Sequence, residues 1–144
     1  MMHRKVLLMI LVSLLVLPSA AAVVVAQSSV NATIGVTPQS VQPGQRFNVT
    51  VDVSPGQYGI SAGEVAVGFN QSVMKVVGVE AGGLLGPQPI FGLNETSNTA
   101  GTVRCAIARV GATSTPTPNA TFVKIQFEVL GSAPAGSYPI SLTA

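Results

Sequence analysis

Histidine is nearly missing from this sequence. The only copy, His3, sits in a basic N-terminal start, so a chain trimmed of its leader has none. That excludes Ser-His-Asp and Cys-His catalysis and any histidine-held metal. Cysteine is also single, and Cys105 cannot close an intrachain disulfide. The fold must therefore depend on its apolar core, for which the length is adequate. Tryptophan is absent and aromatics are 5% of residues, which leaves little ring surface of the kind that stacks on sugars. Asp52 is the only aspartate, whereas a calcium loop needs several Asp and Asn at close spacing. No metal site and no cofactor are expected.

The start of the chain reads as an export signal. His3, Arg4 and Lys5 precede an apolar run over residues 6–17, Pro18 breaks it, and small residues follow. The run is shorter than the ~20 residues that span a bilayer. Cleavage is expected after Ala26, with Ala22 as the alternative. Retention of the leader, which Val23, Val24 and Val25 would lengthen, is the one route to a membrane. The reading is thus a signal peptide over 1–26 and one domain over 27–144, secreted or at the cell surface. The trimmed chain carries Arg46, Lys75, Arg104, Arg109 and Lys124 against Asp52, Glu64, Glu80, Glu95 and Glu128. These cancel, so nothing attracts nucleic acid or anionic lipid.

Five of six asparagines, Asn31, Asn48, Asn70, Asn94 and Asn119, open Asn-x-Ser/Thr sequons, and only Asn98 does not. Serine and threonine fill 24 of 144 positions, so chance would place about one of the six in a sequon. The excess points to a glycoprotein.

Past residue 26 there is no helical period. Glycine and proline punctuate short runs rich in valine, the pattern of an all-β sandwich or barrel. Residues 46–53 alternate, with Phe47, Val49, Val51 and Val53 inward and Asn48 on the wet face. Residues 63–69 follow with Val65, Val67 and Phe69 inward. Residues 74–80 are a third run, ahead of a loop over 82–89. A short strand is predicted over 90–94. Residues 102–109 put Val103, Cys105 and Ile107 inward, so Cys105 reads as a small, unreactive core residue. Residues 120–129 bury Val123, Ile125, Phe127 and Val129, while the parity of Phe122 is undecided. Residues 32–37 and 138–143 complete about eight strands. One wet face per strand implies two packed antiparallel sheets. The five acids are scattered, with Asp52 and Glu128 on wet faces and Glu80 and Glu95 at strand ends or loops. They do not form the facing pair that a glycosidase needs, and no enzyme is expected.

The order and spacing of four segments resembles the cohesin domain family, the modules that bind dockerins in extracellular cellulose-degrading assemblies. The segments are SVQPGQRFNVTVDV at 40–53, GISAGEVAVGFNQSVMKVVGV at 59–79, AGTVRCAIAR at 100–109 and SAPAGSYPISL at 132–142. The resemblance implies a jelly-roll sandwich of nine strands, with the third, fifth, sixth and eighth forming the sheet that meets the dockerin. Carried onto this chain, the partner-binding face holds Glu64, Ala66, Gly68, Arg104, Ala106 and Ser141, and calcium belongs to the dockerin. Asn48 falls on the opposite sheet. The chain departs from the family in having Asn70-Gln71 where Asp-Pro is frequent and Ala62 where an Asn is common. The ninth strand, which would lie beside the first, is not supplied before Ala144, so the domain reads as C-terminally incomplete. The expected function is docking in polysaccharide degradation or cell-surface assembly. The alternatives are a carbohydrate-binding module of the same fold, holding a polysaccharide through Tyr58 and Phe91, or a purely structural surface module.

Overall fold

The computed structural model describes residues 29–113 and 117–143. The predicted signal peptide, part of the Thr/Pro loop after Thr113, and Ala144 lie outside the described residues. Eight strands form in chain order: β1 (Asn31–Thr37), β2 (Arg46–Ser54), β3 (Ala62–Gly68), β4 (Met74–Ala81), β5 (Ile90–Ser97), β6 (Thr102–Ala108), β7 (Ala120–Val129) and β8 (Ser141–Thr143). They make two four-stranded antiparallel sheets, β1-β2-β7-β4 and β5-β6-β3-β8, packed as an open jelly-roll sandwich.

Strict alternation of valine and phenylalanine with small or polar residues makes each strand two-faced. Phe47, Val49 and Val51 of β2 and Val123, Ile125 and Phe127 of β7 face Val67 of β3 and Val103, Cys105 and Ile107 of β6 across the core. Phe127 has no exposure; it stacks on Phe47 at 5.4 Å between ring centres and meets Phe69 edge-on at 5.1 Å. Burying such a ring contributes about 1.5–3 kcal/mol, and each aromatic pair adds roughly 0.5–1.5 kcal/mol.

Several strand bounds change. The first strand begins one residue earlier than predicted, at Asn31. The strand at 90–94 extends to Ser97 because β5 pairs with β6 along its whole length, with a bulge between Phe91 and Leu93. Glu95 therefore lies within a strand, opposite Arg104. The last strand shrinks to Ser141–Thr143. Pro139 has no N–H to offer a ladder, and Tyr138 and Ile140 pack on the core without strand pairing.

Phe122, undecided by parity, is buried because it is the unpaired residue of a bulge. Register shifts between Val51 and Asp52, which pair with Val123 and Thr121. The extra residue turns its ring inward onto Gly63, where a Cβ would sit 3.1 Å from Phe122 Cε2. The loop over 82–89 also holds core, with Leu84 and Leu85 both buried.

Candidate functional site

The outer face of the β5-β6-β3-β8 sheet is assembled by register. Residues directly opposite on antiparallel strands share a face. Glu64 is opposite Ala106, Ala66 is opposite Arg104 and Thr143, and Gly68 is opposite Thr102 and Ser141. The six residues named from the sequence, Glu64, Ala66, Gly68, Arg104, Ala106 and Ser141, thus lie together on one side of three adjacent strands.

The face is flat because the sequence alternates large inward with small outward. Val65 and Val67 point in while Ala66 and Gly68 point out, and Cys105 and Ile107 point in while Ala106 and Ala108 point out. Gly68 also lets β8 lie close, since a Cβ there would meet Thr143 Cγ2 at 3.2 Å. Burial pushes the Cys105 thiol up to about 11, so it is a protonated core residue with no share in the surface chemistry.

One ionic cluster stands on this face. Arg104 Nη2 donates to Glu64 Oε1 at 2.6 Å, and Glu95 Oε2 lies 3.9 Å from Arg104 Nη1. The hydrogen bond donated to Glu64, then the charge of that carboxylate, holds the guanidinium above its usual value. All three side chains are at least half exposed, so the cluster adds little to stability. It remains free to exchange partners with an incoming surface.

The sequence-based face omitted the contribution of β5. The bulge at Gly92 places Ile90 opposite Ala108 and Leu93 opposite Ala106, both outward, with Phe91 turned to the core. Ile90 is 60% exposed. An apolar strip therefore runs from Ile90 over Ala108, Ala106 and Leu93 to the Glu64–Arg104–Glu95 cluster. The readable signal was Gly92 inside a strand pattern, which marks a bulge.

The opposite outer face, on β1-β2-β7-β4, has another chemistry. Glu128 bridges Arg46 at 3.2 Å and Lys75 at 3.0 Å, and Glu80 faces Lys124 at 4.0 Å. The bond from Lys75, then that from Arg46, lowers the Glu128 carboxyl below the usual carboxylate range. Asp52 accepts the hydroxyls of Thr50 at 3.0 Å and Thr121 at 2.6 Å. Asn48 lies on this face as expected, but it is half-buried and its Oδ1 is enclosed.

Each of the five acids thus holds a cation or a pair of hydroxyls. A cleft of about 690 Å³ opens at one end of the sandwich among Val36, Phe47, Met74, Tyr138 and Ile140, and no charged residue lines it. Among the described residues no three His, Cys, Asp or Glu side chains cluster as metal ligands. The rings of Phe47, Phe69, Phe122 and Phe127 are buried, and Phe91 packs on the core. Tyr58 is exposed in a turn.

The family model of the Cohesin domain matches residues 30–144. Among solved structures, the chain is similar to a type II cohesin–X-dockerin complex from Acetivibrio cellulolyticus, with TM-score 0.65 at 13% identity, covering 81% of this chain and 78% of that one. It is similar to the sixth cohesin of scaffoldin B from the same organism, in complex with a Cel5 dockerin mutant, with TM-score 0.63 at 20% identity over 78% and 82%. A type I cohesin–dockerin complex from Clostridium thermocellum gives TM-score 0.65 at 17% identity over 80% and 82%. Among curated proteins none is significantly similar in sequence.

Proposed function

The chain belongs to the cohesin domain family, and from that membership we propose that it is an exported, non-catalytic module that docks a dockerin-type protein through the outer face of the β5-β6-β3-β8 sheet. The observation that carries this reading is the contrast between the two outer faces. One is stitched with ion pairs over β2, β4 and β7. The other presents Ala66, Gly68, Ala106, Ala108 and the exposed Ile90 as a flat apolar strip beside a solvent-facing charge cluster.

A partner helix laid on that strip buries apolar area while freezing almost no rotamers, because Ala and Gly have none to lose. Arg104, Glu64 and Glu95 then set the register by charge complementarity. The three structural neighbours named above are cohesin–dockerin complexes by their own description, which supports a dockerin partner here. Calcium is assigned to that partner. Export rests on the basic and apolar pattern of residues 3–26. Polysaccharide degradation or cell-surface assembly is the setting this implies.

The test is a pull-down of dockerin-bearing proteins with the chain as bait, in calcium and after chelation. Capture that is lost on chelation supports the docking role and the position of the metal. Failure to capture any calcium-loaded dockerin, in a chain that is folded by circular dichroism, contradicts it.

A further inference from the structure

The sequons are spread over the fold in a pattern that the docking reading does not require. By register, Asn31 stands opposite Ser54 at one end of the sandwich. Asn70 is in the turn after β3 at the other end. Asn94 faces the cleft between the edge strands β4 and β5, beside Val77 and Gly78. Asn48 is on the outer face of the β1-β2-β7-β4 sheet, and Asn119 precedes β7. None of the five lies on the outer face of β5-β6-β3-β8. The sixth asparagine, Asn98, ties two segments together: its side chain bonds both the N–H and the C=O of Val76.

Local geometry divides the five. Asn31, Asn70, Asn94 and Asn119 are exposed, and Asn48 is half-buried. Asn31 begins an edge strand, Asn94 is in an edge strand, and Asn70 is in a turn. At Asn70 the Ser72 N–H donates to Oδ1 at 2.9 Å, a turn in which the carboxamide is presented outward and its oxygen is already polarised. The other two sequons are held by one carboxylate. Thr50, of the Asn48 sequon, and Thr121, of the Asn119 sequon, both give their hydroxyl protons to Asp52. Asn48 is in addition half-buried in a strand paired on both sides.

We infer that this domain is N-glycosylated at Asn31, Asn70 and Asn94, and at neither Asn48 nor Asn119, so that glycans cover both ends and one flank and leave the β5-β6-β3-β8 face bare. The donor is an oligosaccharide linked through phosphate to a lipid. Asn Nδ2 forms a bond to its C1 and the C1–O bond to phosphate breaks. The lipid phosphate leaves with the electron pair, and one amide proton passes to a base of the transferase. The domain has a use for the glycans: with equal numbers of acids and bases over residues 27–144, net charge does not keep it apart from its neighbours in solution. The value of a bare face rests on the docking reading; the occupancy pattern does not.

The experiment is peptide mapping by mass spectrometry of the protein secreted by its own organism, together with Ser72→Ala expressed there. The substitution removes the sequon hydroxyl and keeps the backbone N–H that bonds Asn70. The expected result is a glycan mass on the peptides of Asn31, Asn70 and Asn94, bare masses for Asn48 and Asn119, and loss of one glycan in Ser72→Ala with an unchanged melting temperature. Bare masses at Asn31, Asn70 and Asn94, or a glycan on either Asn48 or Asn119, overturn the inference. Either outcome holds whether or not the chain captures a dockerin.

Discussion

Replacing Asn98 by alanine removes a tie between the two sheets. The side chain stands between β5 and β6 of one sheet, yet its Oδ1 accepts from Val76 N at 2.7 Å and its Nδ2 donates to Val76 O at 3.1 Å, on edge strand β4 of the other. It thus satisfies an unpaired strand edge as a neighbouring strand would. Val76 is buried, so both backbone groups depend on this one amide. Each intramolecular hydrogen bond is worth about 0.5–1.5 kcal/mol net, and two of them give a loss of about 2 kcal/mol. In a domain of this size that lowers the melting temperature by about 8 °C. Urea unfolding should show the midpoint fall with its slope unchanged. Hydrogen exchange should quicken at the Val76 amide beyond the global effect. Asn98→Asp is the sharper probe: its carboxylate can still accept from Val76 N but turns an oxygen toward Val76 O, so at neutral pH it should be no more stable than the alanine variant. A loss under about 0.5 kcal/mol in Asn98→Ala, or full stability in Asn98→Asp, would refute this account of the edge.

Other substitutions test the remaining structure. Gly101 has φ of 70° and a Cβ there would run into the Phe69 carbonyl, so Gly101→Ala should cost at least about 2 kcal/mol by denaturant unfolding; a neutral result would show that the turn has another conformation. Cys105 is fully buried with its thiol raised to about 11. It should resist an aromatic disulfide reagent in the native state and react in guanidinium. Because the unfolded thiol ionises first, stability should fall as pH rises from about 9 to about 11, and Cys105→Ala should lack that fall. The Glu128 carboxyl is lowered by Lys75 and Arg46. Its contribution is therefore present above the unfolded carboxylate value, near 4.3, and is lost as pH falls through the folded one. Thermal melts from pH 6 down to pH 2 should show a smaller acid loss in Glu128→Gln than in the native chain.

The alternation of residues 46–53, 63–69, 102–109 and 120–129 was enough to identify four strands and their inner residues, because period two leaves one choice of inner face. The choice of the outer face with Glu64, Ala66, Gly68, Arg104, Ala106 and Ser141 came from the cohesin resemblance. What it missed lies at bulges. Phe122 could not be assigned since an extra residue in β7 breaks the count, and Leu93 and Glu95 fall on the outer face with Ile90 only because the bulge in β5 shifts the parity after Phe91. Leu84 and Leu85 were hidden in a Gly/Pro loop whose burial depends on long-range contacts such as Leu84 N–H to Thr121 O. The Glu64–Arg104 pair was legible as outward neighbours on partner strands; its third member needed the true length of β5. The difference between the sequons was not legible as a whole, because Asp52 reaches Thr121, 69 residues away, through register, although Thr50 is its neighbour two residues back on the same face.

Docking through the β5-β6-β3-β8 face is tested most directly by titrating a calcium-loaded dockerin into the native chain, Glu64→Lys and Lys124→Glu by calorimetry. Glu64→Lys sets a second cation beside Arg104 on the proposed face, whereas Lys124→Glu alters the opposite face beside Glu80. Both substitutions are at exposed positions and should leave the melting temperature nearly unchanged. The account predicts that Glu64→Lys weakens binding by roughly tenfold or more while Lys124→Glu binds as the native chain does. Equal affinity for the native chain and Glu64→Lys, or a loss confined to Lys124→Glu, would contradict it.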